Sequence, residues 1–257
     1  MKIVVAIKQV PSRDNQLKVN AAGTWIEDSD LSWEINEPDA YALEAGLQLK
    51  EKLTGEVVVL CAGPEGAGQT IREALAKGAD RAIHIETGNA GAVVSNMDPL
   101  LLARTMASAL ESEKPDLILT GLQSDDLGYG QTGVIMAELM GLPHATIIMN
   151  IEPEGSGIRV KRELEDGWFQ QVEMPLPALL TIQSGATKLR YATLMGIKKA
   201  KTKEIRKVAA ATEGAAAIRV ERIYTPEKSR RSQIFDGPPK DAAAKLVEKL
   251  RFEARVI

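Results

Sequence analysis

The chain has 257 residues, a formal net charge of −3, 44% hydrophobic residues and 26% charged residues. These totals are typical of a soluble globular protein with one large domain, alone or with an appendage, and the acidic balance argues against nucleic acid as the main partner. A single cysteine, Cys61, excludes an internal disulfide, so we expect a reducing compartment, the cytoplasm. No apolar run approaches the ~20 residues of a membrane span or forms a signal-peptide core, so neither is expected.

The first 150 residues alternate short apolar runs with helical patterns. The runs predict buried parallel strands at 3–7, 57–60, 82–85 and 117–119. Helices are predicted from 37 to about 52 and at 69–77, 98–112 and 134–140, with a small-residue loop at 87–96. This alternation predicts βαβ units and therefore an α/β fold with a doubly wound, mostly parallel sheet.

The pattern changes after residue 150. Residues 158–164 and 168–173 alternate around Asp166-Gly167, a strong hairpin-turn pair, so a β-hairpin is added to the predicted sheet. A last strand is predicted at 178–182.

Residues 183–257 lose the regular apolar periodicity. Eight lysines and arginines stand against one acid at 188–207, and an alanine-rich stretch follows at 209–217. A final amphipathic helix is predicted after Gly237, with one apolar face formed by Ala243, Leu246, Val247 and Leu250. We therefore divide the chain into an α/β domain, 1–182, and an extended C-terminal arm, 183–257. The arm has too little apolar surface for a core of its own and needs another surface, either a partner subunit, which we favour, or its own domain.

The loop at 121–133 is the most informative segment for function. It follows a predicted strand, precedes a helix and contains four glycines and the adjacent acids Asp125 and Asp126. Ligands of open α/β sheets lie at the carboxyl ends of strands, and the N–H groups that begin the next helix favour an anion such as phosphate. The glycine spacing of the segment matches neither of the two common nucleotide-binding fingerprints. Both a phosphate-binding loop and an ordinary βα connection therefore remain open.

The sequence lacks a recognisable catalytic constellation. Two histidines (84 and 144) and Cys61 cannot build the usual zinc sites, and a buried thiol is the favoured interpretation of Cys61. Asp125 and Asp126 are adjacent, and the side chains of consecutive residues rarely converge on one atom. Hydrogen bonding of these acids to a ribose or to backbone is therefore favoured over acid–base catalysis or metal binding. A binding or carrier protein is predicted. The alternatives are a nucleotide hydrolase or synthetase that uses one of these acids, and a nucleic-acid binder that uses the basic run.

Four motifs then resemble one family. The most specific is Val-Lys-Arg-Glu-Leu-Glu-Asp-Gly-Trp-Phe-Gln-Gln-Val at 160–172, continued by Pro-Ala-Leu-Leu-Thr at 177–181. The others are Val-Ala-Ile-Lys-Gln-Val at 5–10, Lys-Gly-Ala-Asp-Arg at 77–81 and Arg-Tyr-Ala-Thr-Leu at 190–194. Along nearly its whole length the chain resembles the β subunits of electron transfer flavoproteins.

The resemblance implies a heterodimer with an electron transfer flavoprotein α subunit. Such a heterodimer carries electrons from a flavin-dependent dehydrogenase to a downstream acceptor such as a quinone reductase. The redox FAD would be held mainly by the α subunit, and the β subunit would bind AMP as a structural nucleotide, with its C-terminal arm packed on α. The chain would then be an electron carrier subunit and not an enzyme.

The resemblance also implies an AMP site formed by strand ends, the start of the first helix and the loop. Its members would be Ala6, Asn36, Ala62, Gly121, Leu122, Gln123, Ser124, Asp125, Asp126, Leu127, Gly128, Tyr129, Gly130, Gln131 and Thr132. Thr132 and the following helix N–H groups would hold the phosphate. The competing role of Asn36 is a helix N-cap.

Partner contacts are implied elsewhere. Leu194, with Tyr191 and Met195 beside it, matches the exposed residue that docks into a dehydrogenase, and a buried contact with α is the alternative. Glu163 matches an acid that touches the mobile FAD-carrying domain of α, and an ordinary exposed strand acid is the alternative.

The sequence departs from the family pattern at two places. Asn36-Glu37-Pro38-Asp39 lacks the aromatic residue that would approach the flavin. Electron-bifurcating relatives hold a second FAD in place of AMP, with an acid–glycine–acid run and a valine near the end of the loop. This chain lacks that run and has Thr132 in place of the valine, so AMP is favoured over a second FAD.

Overall fold

The computed structural model describes residues 1–88, 98–210, 216–218, 220–226 and 232–257. Most of the loop predicted at 87–96 and of the alanine-rich stretch at 209–217 lies outside the described residues. The chain forms two compact units, Met1–Ile223 and Tyr224–Ile257. Within the described ranges, no helix has both the length and the apolar character that crossing a membrane requires.

The first unit is organised around one large sheet. Its strands, with two short ones outside the sheet, are β1 (Lys2–Ile7), β2 (Gln9–Pro11), β3 (Trp33–Ile35), β4 (Glu56–Gly63), β5 (Arg81–Glu86), β6 (Leu117–Gly121), β7 (His144–Glu154), β8 (Gly157–Glu163), β9 (Phe169–Pro175), β10 (Ala178–Ile182) and β11 (Ile205–Ala209). The nine-stranded sheet has the order β11-β5-β4-β1-β6-β10-β7-β8-β9, while β2 and β3 pair separately. Neighbours from β11 to β7 are parallel, and β7, β8 and β9 pair antiparallel.

Helices cover both faces of the parallel part. The described α-helices are α1 (Glu37–Leu53), α2 (Gly68–Lys77), α3 (Pro99–Leu110), α4 (Thr132–Leu139), α5 (Leu194–Ala200) and, in the second unit, α6 (Pro239–Phe252). Alternate residues of β1 point to opposite faces: Val5 packs in the core with α1 and α2, whereas Val4 packs in the core with α3 and α4. The predicted doubly wound, mostly parallel α/β fold is confirmed.

The order of the strands creates a switch point at the centre of the sheet. The chain proceeds from β1 to β4 and β5 on one side, then returns to place β6 on the other side of β1. The connections that leave β1 and β6 therefore diverge at their carboxyl ends, which is where doubly wound proteins open a crevice for ligands. The loop at 121–131 leaves β6 at this point.

The predicted hairpin is confirmed, and its turn has the geometry that its sequence favours. Asp166 and Gly167 have φ angles of 56° and 77°, and the N–H of Trp168 donates to the carbonyl oxygen of Glu165 at 3.1 Å. Two central residues with positive φ define the type I′ turn, whose twist matches that of the flanking strands.

The region after β10 contains two elements that the sequence did not predict. The strand β11 pairs with β5 at the edge of the sheet, and α5 packs on α2. Gly196 is required for that packing, since a Cβ there would lie 2.3 Å from the carbonyl oxygen of Ala76. This part of the predicted arm thus packs on the chain itself. In the second unit α6 has no buried residue, with Leu246 and Val247 exposed, and docking of the arm on a partner stays a prediction.

Candidate functional site

A cleft opens at the switch point, between the carboxyl ends of the central strands and the N-termini of α3 and α4. Its empty volume, which includes open solvent, is ≈ 920 Å³. Twelve of the fifteen residues predicted for the AMP site line it: Ala6, Asn36, Ala62, Gly121, Leu122, Gln123, Ser124, Leu127, Tyr129, Gly130, Gln131 and Thr132. The other three, Asp125, Asp126 and Gly128, belong to the same loop but do not line the cleft.

Part of the cleft lining is apolar and includes two small side chains. It consists of Ala6 and Ala62 at the ends of β1 and β4, with Leu102 and Met106 of α3 and Met136 of α4. The two alanines have no side-chain atom beyond Cβ, so a planar group can lie directly against the strand ends.

The N-terminus of α4 also lines the cleft. The helix begins at Thr132, and Gln131 at the N-cap position makes no side-chain capping bond. The first N–H groups of a helix have no partner within it and, together with the helix dipole, attract an anion. Gly133 lets this helix end lie close to β6, because a Cβ there would be 2.7 Å from Thr120 Oγ1.

The side chain of Asn36 anchors the loop through two hydrogen bonds to its backbone. Its side chain is buried, with Nδ2 donating to the carbonyl oxygen of Gln123 at 2.9 Å and Oδ1 accepting from the N–H of Asp125 at 2.8 Å. It occupies the N-cap position of α1, yet its side chain makes no capping bond there. The amide therefore clamps the proximal half of the loop. The predicted N-cap position of Asn36 is confirmed, but its side chain bonds to the loop and does not cap the helix.

Asp39 is a functional candidate that the sequence did not reveal. Oδ2 accepts from the N–H of Lys8 at 2.7 Å and Oδ1 from the N–H of Gly121 at 2.9 Å, so one carboxyl group joins the ends of β1 and β6. Burial raises the pKa of Asp39 to about 7, although these hydrogen bonds act in the opposite direction. In the sequence Asp39 only marked an acid in the first turn of a helix.

Lys8 is the second candidate that the sequence did not reveal. Its ammonium nitrogen lies 2.5 and 2.7 Å from the two carboxylate oxygens of Asp126 and 3.4 Å from Ser124 Oγ. The other loop acid, Asp125, lies 3.3 Å from Arg13, which also pairs with Glu37. Both loop acids are thus neutralised by cations outside the loop, an arrangement that holds a loop rather than one that releases a general base.

The cysteine and the histidines lie away from catalytic geometry. Cys61 is fully buried in β4, and burial raises the pKa of its thiol to about 12, so the predicted buried thiol is confirmed. His84 is buried with Nε2 3.2 Å from the carbonyl oxygen of Gly63, and His144 is exposed. Among the described residues, no group of three or more histidine, cysteine, aspartate or glutamate side chains is placed to hold a metal ion.

The predicted docking residues are exposed at the start of α5. Relative exposures are 91% for Tyr191, 89% for Leu194 and 61% for Met195, and none of the three lines the cleft. Thr193 Oγ1 caps the helix by accepting from the N–H of Gly196 at 3.0 Å. Within the described chain Leu194 is therefore free to enter a pocket of another protein.

Glu163 lies at the other side of the sheet, at the end of β8. One carboxylate oxygen accepts from Gln183 Nε2 at 3.2 Å, and the residue is partly exposed. The structure does not bring it to the cleft.

Fold and cleft together define a doubly wound α/β protein with a ligand crevice at its switch point. The family model of the electron transfer flavoprotein domain matches residues 23–213. The chain is 35% identical to the electron transfer flavoprotein subunit beta of Methylophilus methylotrophus, over 96% of this chain and 97% of the relative. The subunit beta proteins of Mus musculus and Syntrophomonas wolfei are each 34% identical over the whole of this chain and 99% and 98% of the relatives. The chain belongs to the electron transfer flavoprotein family, and its function class is electron transport.

Proposed function

We propose that the chain is the β subunit of a heterodimeric electron transfer flavoprotein and that its cleft binds AMP as a structural nucleotide. The heterodimer would carry electrons from a flavin-dependent dehydrogenase to a downstream acceptor, on an FAD held mainly by the α subunit. The observation that supports the nucleotide assignment is the position of the cleft, which is lined both by small apolar residues at strand ends and by the N-terminus of α4.

The lining of the cleft fits the three parts of AMP. The adenine would lie against Ala6 and Ala62, where small side chains admit a planar ring. The phosphate would accept hydrogen bonds from Thr132 and from the first N–H groups of α4. The loop would cover the ribose with the backbone and side chains of 121–131.

A structural role for the nucleotide is favoured over hydrolysis. Asp125 and Asp126 are the acids that the hydrolase alternative would use, and each is paired with a cation that anchors the loop. Neither lines the cleft, so neither is placed to activate water beside a phosphate. The nucleic-acid alternative is weakened because three of the eight basic residues of the run pair with acids of the chain itself: Arg190 with Glu44, Arg206 with Glu113 and Lys207 with Glu86.

AMP is also favoured over the second FAD of a bifurcating flavoprotein. The loop has Thr132 at its end and lacks the acid–glycine–acid run of that type. The ion pairs Lys8–Asp126 and Arg13–Asp125 tie this loop to the rest of the fold. The segment Asn36-Glu37-Pro38-Asp39 lacks the aromatic residue that the family commonly has there, which argues against direct stacking of this chain on the flavin of the α subunit.

Partner docking is assigned to two surfaces. The first is Leu194 with Tyr191 and Met195, an exposed apolar group beside the exposed lysines at 198, 199 and 201. This group fits the family role of an anchor in a dehydrogenase pocket. The second is helix α6 near the end of the arm, which exposes apolar side chains that a partner subunit would cover. Glu163 is proposed as a contact to the FAD-carrying domain of α.

The composition of the purified heterodimer tests the proposal. After coexpression with the α subunit, nucleotides are released by denaturation and identified by mass spectrometry. One FAD and one AMP per heterodimer are expected. Two FAD would assign the bifurcating type, and the absence of a second adenine nucleotide would overturn the cleft assignment. Incubation with ATP should give no ADP or AMP, whereas turnover would favour the hydrolase alternative.

A further inference from the structure

The loop over the cleft is held at two separate points. The proximal half, 121–125, is fixed by Asn36 and by the N–H of Leu122, which donates to the carbonyl oxygen of Ile182 at 2.9 Å. The distal half, 126–130, is connected to the rest of the fold by the contact between Lys8 and Asp126. The two halves are also joined to each other, because the N–H of Gly128 donates to the carbonyl oxygen of Ser124 at 2.9 Å. The contact with Lys8 ties the distal half directly to a residue outside the loop.

Lys8 extends from a rigid platform. Its N–H donates to Asp39 Oδ2 at 2.7 Å, and its carbonyl oxygen accepts from the N–H of Asn36 at 2.9 Å. Both bonds fix the end of β1 to the start of α1, so the backbone of Lys8 stays in place if its side-chain partner is lost. Lys8 is also the one lysine or arginine among the described residues that line the cleft.

Asp126 transmits the contact to the backbone of the loop. Besides its contact with Lys8, Asp126 Oδ1 accepts from the N–H of Leu127 at 2.8 Å. Leu127 and, two residues later, Tyr129 both line the cleft. Gly128 and Gly130 flank Tyr129 with φ angles of 64° and 62°, a conformation that glycine adopts readily. Release of Asp126 would thus loosen a short segment that carries part of the cleft lining and would leave it tied to the rest of the loop by the hydrogen bond from Gly128 to Ser124.

We propose that Lys8 and Asp126 form a latch that keeps the distal half of the loop over the nucleotide and sets how slowly the nucleotide leaves. The inference rests on the proposed nucleotide site and assigns the two residues a positioning role. The side chains are 31% and 17% exposed, so the pair is partly shielded from solvent and remains sensitive to salt. In this role the ammonium group serves the loop and is not the principal ligand of the phosphate.

Release of radiolabelled AMP from the intact heterodimer tests the latch. The labelled complex is diluted into excess unlabelled AMP, and the retained label is followed for the wild type, Lys8→Met, Asp126→Asn and the double variant. Each single variant should release AMP about fivefold to tenfold faster, the change expected for loss of one partly shielded ion pair. The double variant should be no faster than the singles, since all three lack the same contact. Added salt should speed release from the wild type more than from the variants.

Lys50→Met is the matched control. Lys50 pairs with Asp80 at 2.6 and 2.7 Å, a similar geometry at a site that does not line the cleft. It should lose one ion pair and release AMP at the wild-type rate; acceleration equal to that of Lys8→Met would mean general destabilisation and overturn the latch.

Two further outcomes separate the competing roles. Faster release from Lys8→Met with an unchanged rate for Asp126→Asn would make Lys8 a phosphate ligand and overturn the latch. A wild-type heterodimer that binds no AMP would overturn the proposed function itself, whereas equal release from wild type and variants would overturn the latch alone.

Discussion

Asp39 Oδ1 accepts a 2.9 Å hydrogen bond from the backbone N–H of Gly121, which joins the first helix to the residue where β6 ends and the cleft loop begins. The approach is so close that a Cβ at position 121 would lie 2.3 Å from Asp39 Oδ1 and 2.8 Å from Pro38 Cβ. Position 121 therefore requires glycine as long as Asp39 keeps this contact, and both residues line the cleft.

Gly121→Ala should destabilise the chain and lower its AMP content. The added methyl group must push α1 away from β6 or break the hydrogen bond to Asp39, at a cost of about 1–3 kcal/mol for an overpacked site. Urea unfolding gives the stability, and nucleotide extraction gives the occupancy. Gly68→Ala is the control, because its Cβ meets nothing within 4 Å. Equal behaviour of the two variants would contradict the proposed fit.

Asp39 should make stability fall as the pH rises towards neutrality. Burial raises the pKa of Asp39 from 3.8 to about 7, so between these values the folded state keeps a proton that the unfolded chain has released. The unfolding free energy from this group then decreases as the pH rises through that window and levels off above about 7. Asp39→Asn removes this slope, although it also loses one acceptor for the strand N–H groups.

Urea unfolding of the wild type and Asp39→Asn at pH 4.5, 6 and 8 measures the difference between the two slopes. Asp14→Asn, at an exposed position, is the control and should follow the wild type. If the unfolding free energies of the wild type and Asp39→Asn changed in parallel with pH, the raised pKa of Asp39 would be contradicted.

The central strands were predictable from sequence because burial on both faces leaves a continuous apolar run. The strand β7 was missed, and a reason is visible at Ile147, whose φ of 61° marks an irregularity that interrupts alternation. The strand β11 was missed because an edge strand with two adjacent basic residues, Arg206 and Lys207, looks like part of a charged arm.

The cleft residues likewise fall into those that the sequence predicted and those that it did not. The loop carried local signals, namely its glycines and its place between a strand and a helix. Lys8 and Asp39 carried none, because their roles arise from contacts across the fold: Lys8 lies 31 residues from Asp39 and 118 residues from Asp126. Such pairings are set by strand order, which a local pattern does not contain.

Arg190→Met should destabilise the fold and loosen the docking segment. Arg190 Nε lies 2.8 Å from Glu44 Oε2, and Nη1 lies 2.6 Å from Glu51 Oε1, just before the exposed residues 191–195. The Glu44 side chain is 6% exposed, so removal of its partner leaves a buried charge, and a loss of about 2 kcal/mol is expected after allowance for the partly exposed arginine. Arg159→Met, which breaks exposed pairs, should cost no more than about 1 kcal/mol.

The effect of Arg190→Met should also depend on pH. Burial opposes ionisation of Glu44, but hydrogen bonds from Arg190 and Gln48 outweigh it and lower the pKa of Glu44 below 4.5. The stability from the pair is complete above that unfolded value and is lost as the pH falls through the lower folded value. The gap between wild type and variant in urea unfolding should therefore narrow below about pH 4.5. A gap that widens in acid would contradict the pairing.

Leu194→Ala should slow electron transfer without changing the cofactors. The side chain is 89% exposed at the first position of α5, where alanine preserves the helix and the urea unfolding curve. Loss of an anchor side chain of this size should lower kcat/KM for the reducing dehydrogenase about tenfold, with most of the change in KM. Leu17→Ala, at a position 54% exposed, is the matched control and should leave the rate unchanged. FAD and AMP contents must equal those of the wild type, since Leu194 does not line the cleft. An unchanged rate for Leu194→Ala would remove the anchor role of Leu194 and leave helix α6 as the docking surface to be tested.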